Sequence, residues 1–73
     1  MRNRIKVERA ILDITQDELA KRTGVSRQTI NSIEKNRYVP STVLALKLSK
    51  VFGKNVNAFF ELEDKDIKHL LGS

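Results

Sequence analysis

The stretch TQDELAKRTGVSRQTINSIEKN, Thr15 to Asn36, decides the fold, because it holds two short apolar patterns joined at one glycine. The Thr-x-x-Glu sequence at its start is a capping box, which predicts that a helix begins there and ends at Gly24. Ser26 is a second N-cap residue. The sequence therefore predicts another helix from Arg27 to about Lys35, after a very short turn.

The spacing of small and apolar residues in this stretch is that of a helix-turn-helix. If Gln16 is counted as the first position, the fifth is small where the two helices cross and the ninth is a glycine that turns the chain. The tenth, fifteenth and eighteenth positions are apolar and fix the crossing angle from inside. These residues are Ala20, Gly24, Val25, Ile30 and Ile33.

The rest of the chain also has helical periodicity. A first helix is predicted from about Asn3 to Leu12, with Ala10 and Ile11 widening its buried stripe. A fourth helix is predicted from Ser41 to Gly53, and a short fifth helix is expected to be capped by Asn55. No segment has a convincing strand pattern. The sequence thus predicts an all-α fold, a compact bundle of five helices.

Length and composition exclude several classes of function. A chain of 73 residues and 8.4 kDa buries too little surface for a deep catalytic cleft, and no nucleophile can be paired with a base, so an enzyme is not expected. His69 is the single histidine and cysteine is absent, so neither a metal site nor another cofactor is expected. Without a signal peptide or an apolar run near the roughly 20 residues of a membrane span, the sequence predicts a cytoplasmic protein with no membrane contact.

Charge is unevenly distributed along the chain. The net charge is +5, but residues 1–60 carry 12 Lys and Arg against 5 Asp and Glu, whereas residues 61–73 carry 2 against 4. A basic body favours a polyanionic partner, because each neutralised phosphate releases condensed counterions.

At the helix-turn-helix positions the sequence resembles the Cro/cI-type, or XRE, family of regulators, which includes the phage lambda and 434 repressors. The resemblance extends from Arg4 to Phe60. It implies a lambda-repressor-like bundle that places the third helix in the major groove of double-stranded DNA. It also implies a sequence-specific transcriptional regulator, a repressor that acts as a homodimer on a palindromic operator. We assign residues 1–62 to this DNA-binding domain, and residues 63–73 to a charged tail that is either disordered or part of the dimer contact.

The resemblance also assigns roles to residues of this sequence. Three residues on the third helix fall where the family reads bases, Arg27, Gln28 and Ser32, and Asn31 of the same exposed series is a fourth base-reading candidate. The positions that match family phosphate contacts are Gln16, Lys35, Asn36, Ser41 and Thr42, and Ser26 and Arg37 are further candidates for phosphate contact. Packing of Arg37 against the fourth helix is an equal alternative for that residue. Arg27 stands where the phage proteins have glutamine, and an arginine fork matches guanine rather than adenine.

Two further sets of residues are expected to act within the protein. Arg9 and Glu34 align with a largely buried ion pair that ties the first helix to the end of the third. Two adjacent phenylalanines on a short helix cannot both point into one small core, so one of them is expected to lie in an apolar dimer contact. The residues of this contact are Phe59, Phe60 and Leu62, with Ile67 and Leu70 as further members.

Other functions remain compatible with the same sequence. Antitoxins and restriction-modification controllers share this kind of domain, and a protein-interaction adaptor is a further alternative. A protein partner such as a toxin would bind the C-terminal tail through Ile67, Leu70 and Leu71.

Overall fold

The structure is a computed structural model that describes residues 1–67. It is mostly helical, as the sequence predicts, and it contains the helix-turn-helix. The elements in chain order are β1 (Arg2–Asn3), α1 (Ile5–Leu12), α2 (Gln16–Thr23), α3 (Arg27–Glu34), α4 (Thr42–Phe52), a 3-10 turn (Val56–Ala58) and β2 (Phe60–Glu61). Residues 64–67 are helical as well.

Side-chain caps fix the ends of the helices that form the motif. Thr15 and Glu18 form the predicted capping box, in which each side chain bonds the backbone amide of the other at 3.1 Å. The Ser26 hydroxyl accepts from the third amide of α3, and the Ser41 hydroxyl does the same for α4. The predicted cap at Asn55 is wrong, because its side chain makes no hydrogen bond to the 3-10 turn.

One core holds the helices together. Its members come from α1 to α4, from the α1–α2 loop and from the segment after the 3-10 turn. They are Ile5, Ile14, Leu19, Ala20, Ile30, Ile33, Leu44, Leu48, Phe52, Phe59 and Phe60. Phe52 and Phe59 meet edge to face with ring centroids 5.0 Å apart, so the end of α4 is fixed to the segment that follows it.

A small antiparallel strand pair, β1 with β2, forms in two segments for which the sequence predicts helix or no regular structure. Asn3 pairs with Phe60, and the next amide, that of Arg4, donates to the Phe59 carbonyl at 2.8 Å. Because these bonds hold the first residues extended, α1 begins at Ile5 rather than at Asn3. The strand pair thereby joins the start of the described chain to its C-terminal part.

The expectation that one of two adjacent phenylalanines faces outward is wrong. Phe59 is 1% exposed and Phe60 is 8% exposed. The chain leaves the helical turn at Phe59 and is extended at Phe60, so helical geometry does not govern where the two rings point. Phe59 packs on Phe52, while Phe60 lies beside Met1 and Ile33 under the N-terminal segment. Among the three predicted dimer residues only Leu62 is exposed, at 61%.

The buried side of α1 is narrower than its sequence predicts. Ala10 and Ile11 are exposed rather than buried, and 63% of Ile11 is accessible. Within α1 only Ile5 and Glu8 are fully buried, and the Glu8 carboxylate meets the Lys54 ammonium at 2.9 Å. Within the described chain, α1 therefore packs against the core along a stripe about one residue wide. The opposite side of α1 is apolar and faces solvent.

The start of the C-terminal tail is bound to the N-terminus. The N-terminal ammonium lies 2.9 Å from Asp66 and 3.0 Å from Glu63, and these hydrogen bonds raise the pKa of the ammonium. The contact with the ammonium lowers the pKa of Glu63. The backbone amide of Glu63 and then the ammonium lower the pKa of Asp66. The tail contacts expected at Leu70 and Leu71 lie outside the described residues.

Candidate nucleic-acid interface

Packing of α2 against α3 positions the candidate reading helix. Ala20 is buried at the crossing, and its carbonyl accepts from the Val25 amide at 3.0 Å across the turn. Gly24 has φ of 74°, a left-handed conformation that glycine adopts without steric cost. Ile30 and Ile33 anchor one side of α3 in the core. The side of α3 opposite these two residues is therefore held toward solvent.

Each of the four candidate base-reading residues keeps accessible surface on α3. Arg27 and Gln28 are exposed, and Asn31 and Ser32 are half-buried one turn further along. Residues four apart lie above one another on a helix, so Arg27 aligns with Asn31 and Gln28 aligns with Ser32. The structure thus arranges the four side chains in two parallel rows.

The row of Gln28 and Ser32 borders an open depression of about 390 Å³. Arg37 and Tyr38, from the loop after α3, form its other side, and the Arg37 amide donates to the Ser32 carbonyl at 2.9 Å. Arg37, for which phosphate contact and packing against the fourth helix are the two alternatives, thus lies beside the candidate reading helix. Thr29 also lines the depression, and the sequence analysis did not select it.

Thr29 is held by the residue that caps α3. Its hydroxyl lies 2.9 Å from the Ser26 hydroxyl, and its backbone amide donates to the same oxygen. A serine followed three residues later by a threonine is the sequence signal for this contact. Ser26 therefore caps the helix and fixes a second hydroxyl at the edge of the depression.

The row of Arg27 and Asn31 contacts the first residue of α2. The Gln16 amide nitrogen donates to Asn31 Oδ1 at 3.3 Å and to Glu34 Oε1 at 3.1 Å. The Gln16 amide oxygen lies 3.5 Å from Arg27 Nε, a weak contact that is longer than the usual N–H···O hydrogen bond of about 2.7–3.2 Å. Gln16 thereby connects both residues of this row to the C-terminal end of α3.

Arg9 and Glu34 form a two-pronged ion pair. The distances are 2.7 Å from Arg9 Nε to Glu34 Oε2 and 3.2 Å from Nη2 to Oε1, with 15% and 7% of the two side chains exposed. Arg9 Nη1 also donates to the Ile14 carbonyl at 3.1 Å. The pair therefore joins α1, the α1–α2 loop and α3 behind the candidate reading surface.

The candidate phosphate contacts lie at helix ends around this surface. Lys35 and Asn36 are exposed after the last turn of α3, and Ser41 and Thr42 are exposed at the start of α4. The first amides of a helix have no partner within the helix, so the amides at the start of α4 can donate to a phosphate oxygen. These positions match the type of group that fixes a protein on the DNA backbone.

Asn36 is held in place by a residue that the sequence analysis missed. Asn36 has φ of 59°, a left-handed conformation that asparagine tolerates. Asn3 donates from Nδ2 to Asn36 Oδ1 and to the Ile33 carbonyl, both at 2.9 Å. The side-chain nitrogen of Asn36, Nδ2, remains available as a donor. No local pattern marks these two contacts, since Ile33 and Asn36 lie thirty or more residues from Asn3.

Residues 1–67 contain neither a metal-ligand cluster nor a membrane-spanning helix. That part of the chain has no group of three or more His, Cys, Asp or Glu side chains placed to hold a metal ion. None of its helices has the length and apolar character to cross a membrane.

A helix-turn-helix whose second helix presents a polar row to solvent, next to a basic loop, defines a DNA-binding domain. The profile of the helix-turn-helix family, HTH_3, matches residues 5–59. The chain therefore belongs to the XRE-type helix-turn-helix family. The chain is similar to the uncharacterized HTH-type transcriptional regulator MJ0272 of Methanocaldococcus jannaschii, with 48% identity over 66 residues, 90% of this chain and 100% of the relative. It is also similar to the uncharacterized HTH-type transcriptional regulator YgzD of Bacillus subtilis, with 42% identity over 66 residues and the same coverage of both chains.

Proposed function

We propose that this chain is a cytoplasmic, sequence-specific regulator of transcription that inserts α3 into the major groove of double-stranded DNA. The two rows of hydrogen-bonding side chains on the exposed side of α3 carry this proposal, because they supply the donors and acceptors that read base edges. The two relatives that the chain matches over their whole length are named transcriptional regulators. Selection of bound DNA from a random pool tests the proposal. A pool that shows no preferred sequence would overturn it.

We further propose that the protein is a repressor that binds as a homodimer and blocks polymerase by occupying its operator. An α3 of eight residues contacts only a few base pairs, which is little for specific affinity. Two copies related by a two-fold axis would place their α3 helices in successive major grooves about 34–36 Å apart. The operator is then palindromic, with half-site centres about one helical turn apart.

Arg27→Ala is expected to weaken binding to the preferred site by about 1–3 kcal/mol per recognised base pair and to relax the preference at that pair. The reason is that Arg27 presents its guanidinium at the exposed start of α3. Competition binding with single-base operator variants measures both effects. Arg22→Ala is the matched control, because Arg22 is also an exposed arginine but lies in the last turn of α2. Equal weakening of Arg27→Ala on every sequence would show that Arg27 contacts a phosphate.

Leu62→Ser is expected to raise the dimer dissociation constant about tenfold, because the two copies together lose about 1.5 kcal/mol of apolar burial. Leu62 is the exposed member of the predicted dimer contact, so its replacement leaves the core intact. Sedimentation equilibrium measures the constant, and circular dichroism verifies the fold. Ile11→Ser removes an equally exposed apolar side chain from α1 as the control. An effect of Ile11→Ser without one of Leu62→Ser would place the contact on α1 instead.

A further inference from the structure

Gln16 lies between two charged groups of opposite hydrogen-bonding capacity. A carboxylate such as Glu34 only accepts hydrogen bonds, and a guanidinium such as Arg27 only donates them. The amide between them satisfies both groups in one orientation only, with its nitrogen toward Glu34 and its oxygen toward Arg27. The distances of 3.1 Å and 3.5 Å are found in this orientation.

Glu34 in turn is fixed by Arg9. The two-pronged pair, at 2.7 Å and 3.2 Å, holds the carboxylate in one position, so that Oε1 contacts both Arg9 and Gln16. The ion pair is mostly buried, whereas Arg27 is exposed. A continuous chain of polar contacts, which ends in the weak 3.5 Å contact with Arg27, therefore runs from the inside of the protein to the candidate reading surface.

We propose that the Arg9–Glu34 pair sets the orientation of the Gln16 amide and thereby aims Arg27 and Asn31 at their bases. Glu34 is then a positioning residue for base recognition as well as part of the scaffold. This inference rests on the proposed function, because it assigns a role within DNA reading.

The same orientation determines what Asn31 offers to DNA. Its Oδ1 accepts from the Gln16 nitrogen at 3.3 Å, which turns the Asn31 NH₂ group away from Gln16. Asn31 thus presents donors, and the major-groove partners for donors are purine N7, guanine O6 and thymine O4. Arg27 also presents only donors. The row of Arg27 and Asn31 is therefore specific for acceptor edges.

Glu34→Gln is the variant expected to reverse the orientation of the Gln16 amide without removing side-chain volume. The introduced amide would turn its oxygen to Arg9, which only donates, and its nitrogen to Gln16. Gln16 would then turn its oxygen toward the introduced amide and Asn31, which both face its nitrogen in the unmodified protein, and its nitrogen toward Arg27. Two donors would face each other at Arg27, so its guanidinium would move.

The orientation can be measured without DNA, by nuclear Overhauser effects from the Gln16 side-chain amide protons. In the unmodified protein these protons are expected near the Glu34 methylene protons, and in Glu34→Gln near the Arg27 side chain. Amide protons near Arg27 already in the unmodified protein would overturn the inference, and this arm needs no variant to fold. Because DNA is absent, its outcome is independent of the proposed function.

The second arm measures base discrimination, the ratio of dissociation constants for operators that differ at the base pairs read by Arg27 and Asn31. A smaller folded fraction weakens all operators equally, so a purely structural effect leaves this ratio unchanged. Glu34→Gln is expected to reduce the ratio about threefold or more, within the range found for coupled residues. Gln16→Met, which removes the amide and keeps the ion pair, should reduce it similarly.

The double variant decides whether the effect passes through Gln16. In the Gln16→Met background, Glu34→Gln is expected to change the ratio by less than about twofold, the usual error of additivity. An equal reduction in both backgrounds would overturn the inference. Glu61→Gln makes the same chemical change in an exposed pair with Arg2 and should leave the ratio unaltered. An unmodified protein with no base preference would instead overturn the proposed function, while the amide measurement still decides the orientation.

Discussion

Arg9→Met is expected to lower the free energy of unfolding by about 3–5 kcal/mol, because it leaves a buried carboxylate without its counter-charge. Only 7% of the Glu34 side chain is exposed, so water cannot replace the two hydrogen bonds from Arg9. The substitution also removes the donor to the Ile14 carbonyl. Such a loss is a large share of the roughly 5–15 kcal/mol that stabilises a small domain.

Denaturant unfolding of Arg9→Met, Glu34→Leu and the double variant measures the coupling between the two side chains. Removal of both charges leaves no unpaired ion, so the double variant is expected to be more stable than the worse single one. A double variant that is no more stable than that single one would count against a direct pair. Arg2→Met is the control, because its pair with Glu61 is exposed and should contribute less than about 1 kcal/mol.

The helix-turn-helix is predictable from sequence because its determinants are local. The capping box at Thr15, the glycine at the turn and the N-cap Ser26 each act within four residues of their partners. The apolar positions Ile30 and Ile33 follow the helical period. A short pattern therefore contains most of the information that places α2 against α3.

The parts that the sequence analysis missed depend on distant partners. Asn3 pairs with Phe60 in the strand ladder and donates to the end of α3, and no local periodicity specifies either contact. The predicted outward phenylalanine was wrong because that prediction assumed helical geometry through both residues, whereas the helical turn ends at Phe59 and the chain is extended at Phe60. Ile11 is exposed because α1 contacts the described core along one narrow stripe.

In the candidate site, too, local patterns are predictable from the sequence and contacts between distant residues are not. The motif assigned the four reading residues by position, and all four keep accessible surface on α3. The contact of Gln16 with Glu34 spans 18 residues, and it follows only once the two helices are docked. The sequence thus indicates which residues are available for recognition, whereas the docked helices show how their donors and acceptors are oriented.

DNA affinity is expected to fall about a hundredfold between 50 and 200 mM salt, with a slope of log affinity against log salt near −4. Lys35 and Arg37 are the exposed cations among the candidate phosphate contacts, which gives about four neutralised phosphates in a dimer and roughly 0.9 of a released counterion for each. Neutral contacts at Ser41 and Thr42 hold the backbone without adding to this slope.

The effect of Lys35→Met on the salt slope shows whether the protein binds DNA as a monomer or as a dimer. Each lost phosphate contact reduces the slope by about 1, so a monomer would lose about 1 and a two-fold dimer about 2, since both copies carry the change. Fluorescence anisotropy with a labelled operator at several salt concentrations gives the slope. Lys50→Met, an exposed lysine near the end of α4, is the control and should leave the slope unchanged. A loss of about 1 would contradict the dimer, and no loss would remove Lys35 from the phosphate contacts.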